Sequence, residues 1–201
     1  MIVRGWLLAC ALPLMVAACT VVPSTYASDE LVAQKRYVHA GPTSLTLLTV
    51  LKNSSDGGAH LALMVNGSER VIFDPAGSFQ HPVIPERGDV IIGSNPAVYD
   101  VFVDYHARVT YRVVEQVIEV SPAVAELALQ KVYANGAVPQ AMCSQSITTI
   151  LSELPGFESI RQTWFPKNAM DQFGALPGVA TRVYRDDDPD DKDLVLRQWR
   201  G

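Results

Sequence analysis

Two short apolar segments, residues 59–65 (AHLALMV) and 69–74 (ERVIFD), flank Asn66-Gly67-Ser68. An Asn-Gly pair between alternating hydrophobics signals a hairpin, because both residues tolerate the positive φ of a tight turn. The chain is thereby committed to an antiparallel strand pair, against which the other elements must pack. Residues 44–51 read as a further strand, separated from the hairpin by the turn-rich run Asn53-Ser54-Ser55-Asp56-Gly57-Gly58. Asp74-Pro75-Ala76-Gly77 closes the second hairpin strand, since proline cannot donate to a ladder.

Residues 82–95 read as loop containing a short apolar piece, Val90-Ile91-Ile92, and residues 96–106 fit helix and strand equally well. Residues 109–120 are rich in β-branched side chains and read as a strand. Ser121-Pro122 then opens a helix with a serine cap and a proline at the first helical position, and Asn135-Gly136 stops it. A second helix begins at Cys143 and ends at Pro155-Gly156. Its apolar face is Ile147, Ile150, Leu151 and Leu154, and Cys143, four residues before Ile147, shares that face. Residues 180–185 read as a last strand.

Cys143 stands apart because the other two cysteines, Cys10 and Cys19, belong to the N-terminus. Residues 1–18 carry Arg4, then an apolar run too short for a membrane span, then Val16-Ala17-Ala18 directly before Cys19. This is the anatomy of a bacterial lipoprotein signal. The expected organisation is a signal peptide over 1–18, a lipidated tether over 19–36 beginning at Cys19, and one domain over 37–201. Thr20 after the cysteine points to the outer membrane. An exported body with one cysteine cannot form an internal disulfide, so Cys143 is either a buried core thiol or a reactive one.

Charge excludes one class of partner. The chain has 16 Lys and Arg against 21 Asp and Glu, without a basic stripe, and nucleic acid is not expected. The acidic run Asp186-Asp187-Asp188-Pro189-Asp190-Asp191 lacks the ligand spacing and central glycine of a calcium loop and reads as solvated. No metal and no cofactor are expected.

A nucleophilic cysteine works as thiolate and needs its pKa lowered, by a helix N-terminus or an imidazolium. Cys143 opens a helix, and His60 at the start of the first hairpin strand is the best base, with Asp74 as its orienting acceptor. His60 and Asp74 share a sheet face only if the hairpin loop has an odd number of residues. A three-residue Asn66-Gly67-Ser68 loop pairs Val65 with Glu69 and His60 with Asp74; a two-residue turn separates them. His81 is the fallback base or orienter.

At Gly58-Ala59-His60-Leu61-Ala62-Leu63, Phe73-Asp74 and Met142-Cys143-Ser144-Gln145-Ser146 the chain resembles the NlpC-type papain-like cysteine peptidases. The histidine strand precedes the cysteine helix, as in their circularly permuted branch, which includes YaeF/YiiX-like lipoproteins and relatives of lecithin retinol acyltransferase. The resemblance spans about residues 40–155. It implies an α+β papain-like fold, an antiparallel sheet packed against the Cys143 helix, and a Cys143–His60–Asp74 triad. Asp74 stands where many relatives carry a second histidine, Cys-Ser-Gln replaces the frequent Cys-Ser-Glu, and the acyltransferase motif Asn-Cys-Glu is absent. The family also suggests Tyr133 as an oxyanion auxiliary beside the Cys143 backbone N–H. The implied function is a lipid-anchored envelope thiol hydrolase cleaving an amide bond, foremost in peptidoglycan stem peptides. The rivals are a lipid acyl hydrolase or acyltransferase, and a non-catalytic envelope-binding lipoprotein of the same fold.

Overall fold

A computed structural model describes residues 26–200 of the chain. The signal segment, Cys10 and Cys19 lie outside these residues.

Among the described residues, seven strands form one antiparallel sheet. In chain order they are β1 (Ser44–Lys52), β2 (Gly58–Asn66), β3 (Arg70–Phe73), β4 (Glu86–Arg87), β5 (Val90–Ile92), β6 (Tyr111–Glu119) and β7 (Ala180–Tyr184). Their order in the sheet is β4-β5-β3-β2-β1-β6-β7. The helices of the described residues are α1 (Asp29–Lys35), α2 (Pro96–His106), α3 (Pro122–Asn135), α4 (Cys143–Ser152), α5 (Pro166–Gly174) and α6 (Lys192–Gln198).

The central strands are apolar on both faces because both faces are covered. Leu45, Leu47, Leu61, Leu63 and Val65 pack with α3, α4 and α5, whereas Leu48, Val50, Ala62 and Met64 pack with α2 and α6. Each fully buried leucine contributes about 1.5–3 kcal/mol relative to exposure, so these two layers hold the sheet and fix its register. An α+β architecture with an antiparallel sheet against the Cys143 helix is therefore what the chain forms.

Local chemistry resolves the ambiguous segment 96–106 as α2. Asn95 caps it by accepting from the Val98 N–H at 3.0 Å, Pro96 occupies the first turn, and Val98, Val101, Phe102 and Tyr105 bury one face. The loop 82–95 contributes the two short strands β4 and β5.

The residues read as a tether begin to fold before residue 37. Ser28 caps α1, the buried Ala27 donates its N–H to the Glu86 carbonyl at 3.0 Å, and Arg87 Nε returns a bond to the Ala27 carbonyl at 2.7 Å. A Cβ on Gly93 would lie 2.1 Å from the Lys35 carbonyl, so the end of α1 rests directly on that glycine. The acidic run is also more than a solvated loop. Asp191 caps α6, and Asp188 and Asp190 bond Arg108 and Thr110.

The hairpin loop is three residues long but displaced by one. Val65 pairs with Val71 and Asn66 with Arg70, leaving Gly67-Ser68-Glu69 as the loop. The expected pairings of Val65 with Glu69 and of His60 with Asp74 are thus corrected: continued past Leu63 and Phe73, the register sets Asp74 across from Ala62. Parity survives, so His60 and Asp74 share a face as diagonal neighbours, a spacing long side chains can bridge.

Candidate active site

The ladder between β2 and β3 stops at Leu63 and Phe73, and the chain then turns away at Asp74. The start of β2 is left open along that edge, and the N-terminus of α4 fills the gap. Cys143 is the first residue of α4, its sulfur lies 3.9 Å from Ser144 Oγ, and His60 and the Leu61 backbone N–H lie close enough to favour its thiolate. Met142, at the cap position, makes no side-chain capping bond, so the first amides of the helix face the thiol without a competing side-chain acceptor.

His60 is the hub. Its Nε2 lies 2.6 Å from Asp74 Oδ1, just below the ~2.7–2.9 Å of a charge-assisted N–H···O bond. That leaves Nδ1 for the thiol. Burial disfavours the imidazolium, but the Asp74 charge and hydrogen bond, with the Cys143 thiolate, push its pKa up to about 10. Burial alone would raise the Asp74 carboxyl, yet His60 holds it below the usual carboxylate range. Burial likewise opposes the Cys143 thiolate, and His60, Ser144 and the Leu61 N–H together bring the thiol below its ordinary value. The trio is thus arranged so that thiolate, imidazolium and carboxylate favour one another.

Asp74 is positioned by its own turn. The Gly77 N–H donates to the Asp74 carbonyl at 2.9 Å, and Ala76 adopts φ 56°, a left-handed conformation costly for a residue with a Cβ. Asp89 holds this turn in place. Its Oδ2 accepts from the Ala76 N–H and the Val138 N–H, both at 3.0 Å, while its carbonyl accepts from the Asp74 N–H at 2.8 Å. One buried side chain therefore ties the Asp74 turn to the loop that delivers Cys143. Nothing in the sequence singles out Asp89 beyond the Gly88-Asp89 turn pair, whose two residues both adopt positive φ in the structure.

Gly77 lies so close to the acceptor that a Cβ there would fall 1.8 Å from Asp74 Oδ2. A Gly77→Ala variant should consequently push the carboxylate off His60. The expected outcome is turnover at least about tenfold lower with circular dichroism unchanged, read by comparing kcat in folded samples.

His106 is the second partner that the sequence reading missed. It is buried at the end of α2, its Nδ1–H donates to the Phe102 carbonyl at 2.8 Å, and its ring stacks on His60 with centroids 5.6 Å apart and planes 12° from parallel. Burial, and secondarily the positive His60, lower its pKa to about 4 despite Asp74 nearby. A neutral ring thus lies on the imidazolium and restricts its rotation. The ambiguity of segment 96–106 concealed it, since only as a helix does that segment bring its last residue to the sheet.

The other candidates lie elsewhere. Tyr133 lies beside Glu69, in the loop at the far end of β2, about 20 Å along the strand from His60 at ~3.3 Å per residue. The structure therefore does not bring it to Cys143. His81 packs edge-on against Trp199 with centroids 5.1 Å apart and accepts from the Val83 N–H, so the orienter of His60 is Asp74.

His60, Asp74 and His106 also form a donor set, each offering one ligand atom, with all three atoms within 4.8 Å of one another. However, the 2.6 Å His60–Asp74 contact is shorter than the ~3.3 Å between two ligands of a tetrahedral zinc with bonds near 2.0–2.1 Å. As arranged, the pair shares a proton. No protein-family model, curated protein or solved structure matches the chain. The chemistry of the site therefore rests on its own geometry. A cavity of about 680 Å³ between α2 and α6, lined by Val101, Asp104, Leu194 and Trp199, contains none of the trio. The groups able to form and break bonds are gathered instead at the junction of α4 and β2.

Proposed function

We propose that the chain is a cell-envelope thiol hydrolase of the permuted, NlpC-type papain-like kind, cleaving an amide bond. The observation that carries this reading is His60, hydrogen-bonded to a buried carboxylate and set beside a thiol at a helix start, each shifting the other towards its charged form. Thiolate, base and orienter are the three parts a covalent acyl-transfer mechanism requires.

Cys143 Sγ attacks the carbonyl carbon, and the oxyanion forms beside the α4 amides, with the Cys143 N–H as principal donor. His60 then gives its proton to the leaving nitrogen as the C–N bond breaks, producing a thioester and a free amine. Water, deprotonated by His60, attacks the thioester, and the proton returns to the thiol–imidazole pair as the acid leaves. Asp74 keeps the imidazole oriented throughout. The N-terminal signal and the resemblance favour peptidoglycan stem peptides as substrate and a lipid anchor at Cys19 on the outer membrane.

A second reading, hydrolysis of lipid acyl esters, draws on Trp164 and Phe165. Both are more than half exposed, and they precede the N-terminus of α5, which abuts Gly58 two residues before His60.

Incubating the full chain with purified peptidoglycan fragments and, separately, phospholipid vesicles distinguishes the readings. The expected result is release of new amines from the fragments, abolished in Cys143→Ala. Its pH profile should be a bell that rises as the thiolate pair forms, below the ordinary thiol value, and falls near pH 10 as His60 loses its proton. Fatty-acid release from vesicles with intact fragments would favour the lipid reading, and no turnover of either would remove the hydrolase assignment.

A further inference from the structure

On the sheet face away from α4, His60 forms one wall of a second pocket, about 240 Å³ in volume, with Ser78, His106, Tyr111 and Lys192 among its lining. This is below the ~300–1,000 Å³ of sites for drug-sized ligands, and suits a single residue-sized group. Lys192 is the unusual member. It is half-buried, its ammonium sits 4.7 Å from the centre of the Tyr105 ring, and among the described residues it forms no ion pair. Asp74 and Asp190 act on it only at longer range, and the charge of Asp74 is matched by His60. A cation withdrawn from water without a carboxylate partner is costly. A ligand supplying that partner would offset the cost.

We propose that this pocket is the leaving-group subsite, and that Lys192 selects substrates whose leaving amine carries a carboxylate. The inference rests on the hydrolase reading: His60 protonates the departing nitrogen, so the amine half of the substrate must lie on the His60 side of the scissile bond. Sγ–C bond formation and C–N cleavage then release an amino acid, its nitrogen protonated by His60 and its carboxylate facing Lys192. The tyrosine ring holds the ammonium in place without neutralising it, and Ser78 and Tyr111 add hydroxyls to a small, polar enclosure. The substrate class is therefore an amide at the carboxyl-terminal end of a peptide, or one whose amine half bears a side-chain carboxylate.

Two measurements test this on the full chain. In the first, N-acetyl-alanyl-alanine and its C-terminal amide are compared as substrates. The expected preference for the free acid is about tenfold or more in kcat/KM. Lys192→Gln should abolish it by raising KM for the acid towards that of the amide, and Lys192→Arg should largely restore it. Equal use of acid and amide by the natural protein would overturn the subsite while leaving the hydrolase reading standing.

The second needs no turnover: calorimetric titration of Cys143→Ala with alanine, alaninamide and inorganic phosphate. Tighter binding of alanine than of alaninamide, lost on adding Lys192→Gln, supports the subsite even if neither peptide is cleaved, a result that would count against the hydrolase reading alone. Equal binding of alanine and alaninamide, or binding of phosphate alone, overturns a carboxylate subsite.

Discussion

The His60→Ala variant is expected to lose turnover by on the order of 10³-fold or more, since a positioned acid–base group contributes roughly 10²–10⁴ and this one also supports the thiolate. Two effects coincide at the one position. The proton carrier disappears, and the Cys143 thiol loses the hydrogen bond and charge that lower its pKa. The change also leaves Asp74, 5% exposed, without its partner; removing half of a buried pair costs on the order of 3–5 kcal/mol. A chemical-denaturation curve run beside the kinetics separates lost folding from lost chemistry. Turnover within a few-fold of the natural protein in a folded His60→Ala sample would remove His60 from the mechanism.

Asp74→Asn should lower kcat by about 10²–10⁴, the range seen when the orienter of a catalytic histidine loses its charge. It should also reshape the dependence of stability on pH. The folded-state pKa of Asp74 is depressed, so its contribution is present above the unfolded value of 3.8 and is lost as pH falls through the folded one. The folded-state pKa of His60 is raised, so its contribution is complete below 6.5 and is lost as pH rises towards about 10. The ion pair therefore stabilises a window between those limits. Denaturation midpoints across pH 3–11 should show that window in the natural protein and a flattened one in the variant, where no carboxylate titrates at position 74 and His60 loses its main counter-charge. An unchanged profile would mean that the pair does not carry charge.

The elements most plainly written in the sequence are those with strong local chemistry. The hairpin about Asn66-Gly67, the Ser121-Pro122 helix start and the Cys143 helix all formed where turn residues, caps and apolar phase placed them. Parity brought His60 and Asp74 to one face, although the pairing itself slipped by one residue, because Ser68 is held by Glu126 of α3, a contact no local pattern contains. The same limit explains Asp89 and His106. Each acts through a neighbour far away in the chain, Val138 for one and the His60 ring for the other. Tyr133, suggested by the resemblance, lies beside Glu69 at the other end of β2, a placement that no local pattern contains. The acidic run reads as solvated from its local spacing, whereas Asp188 and Asp190 answer to Arg108 and Thr110 on the α2–β6 turn, far away in the chain.

The most direct measurement is the rate of Cys143 alkylation by iodoacetamide as a function of pH, in the natural protein and in His60→Ala. A His60-supported thiolate predicts a rate already high at neutral pH, with its titration below the ordinary thiol value, and a shift to or above that value when His60 is removed. If Cys143 instead titrates like a free thiol, and the substitution leaves its rate unchanged, the thiolate–imidazolium pair does not exist.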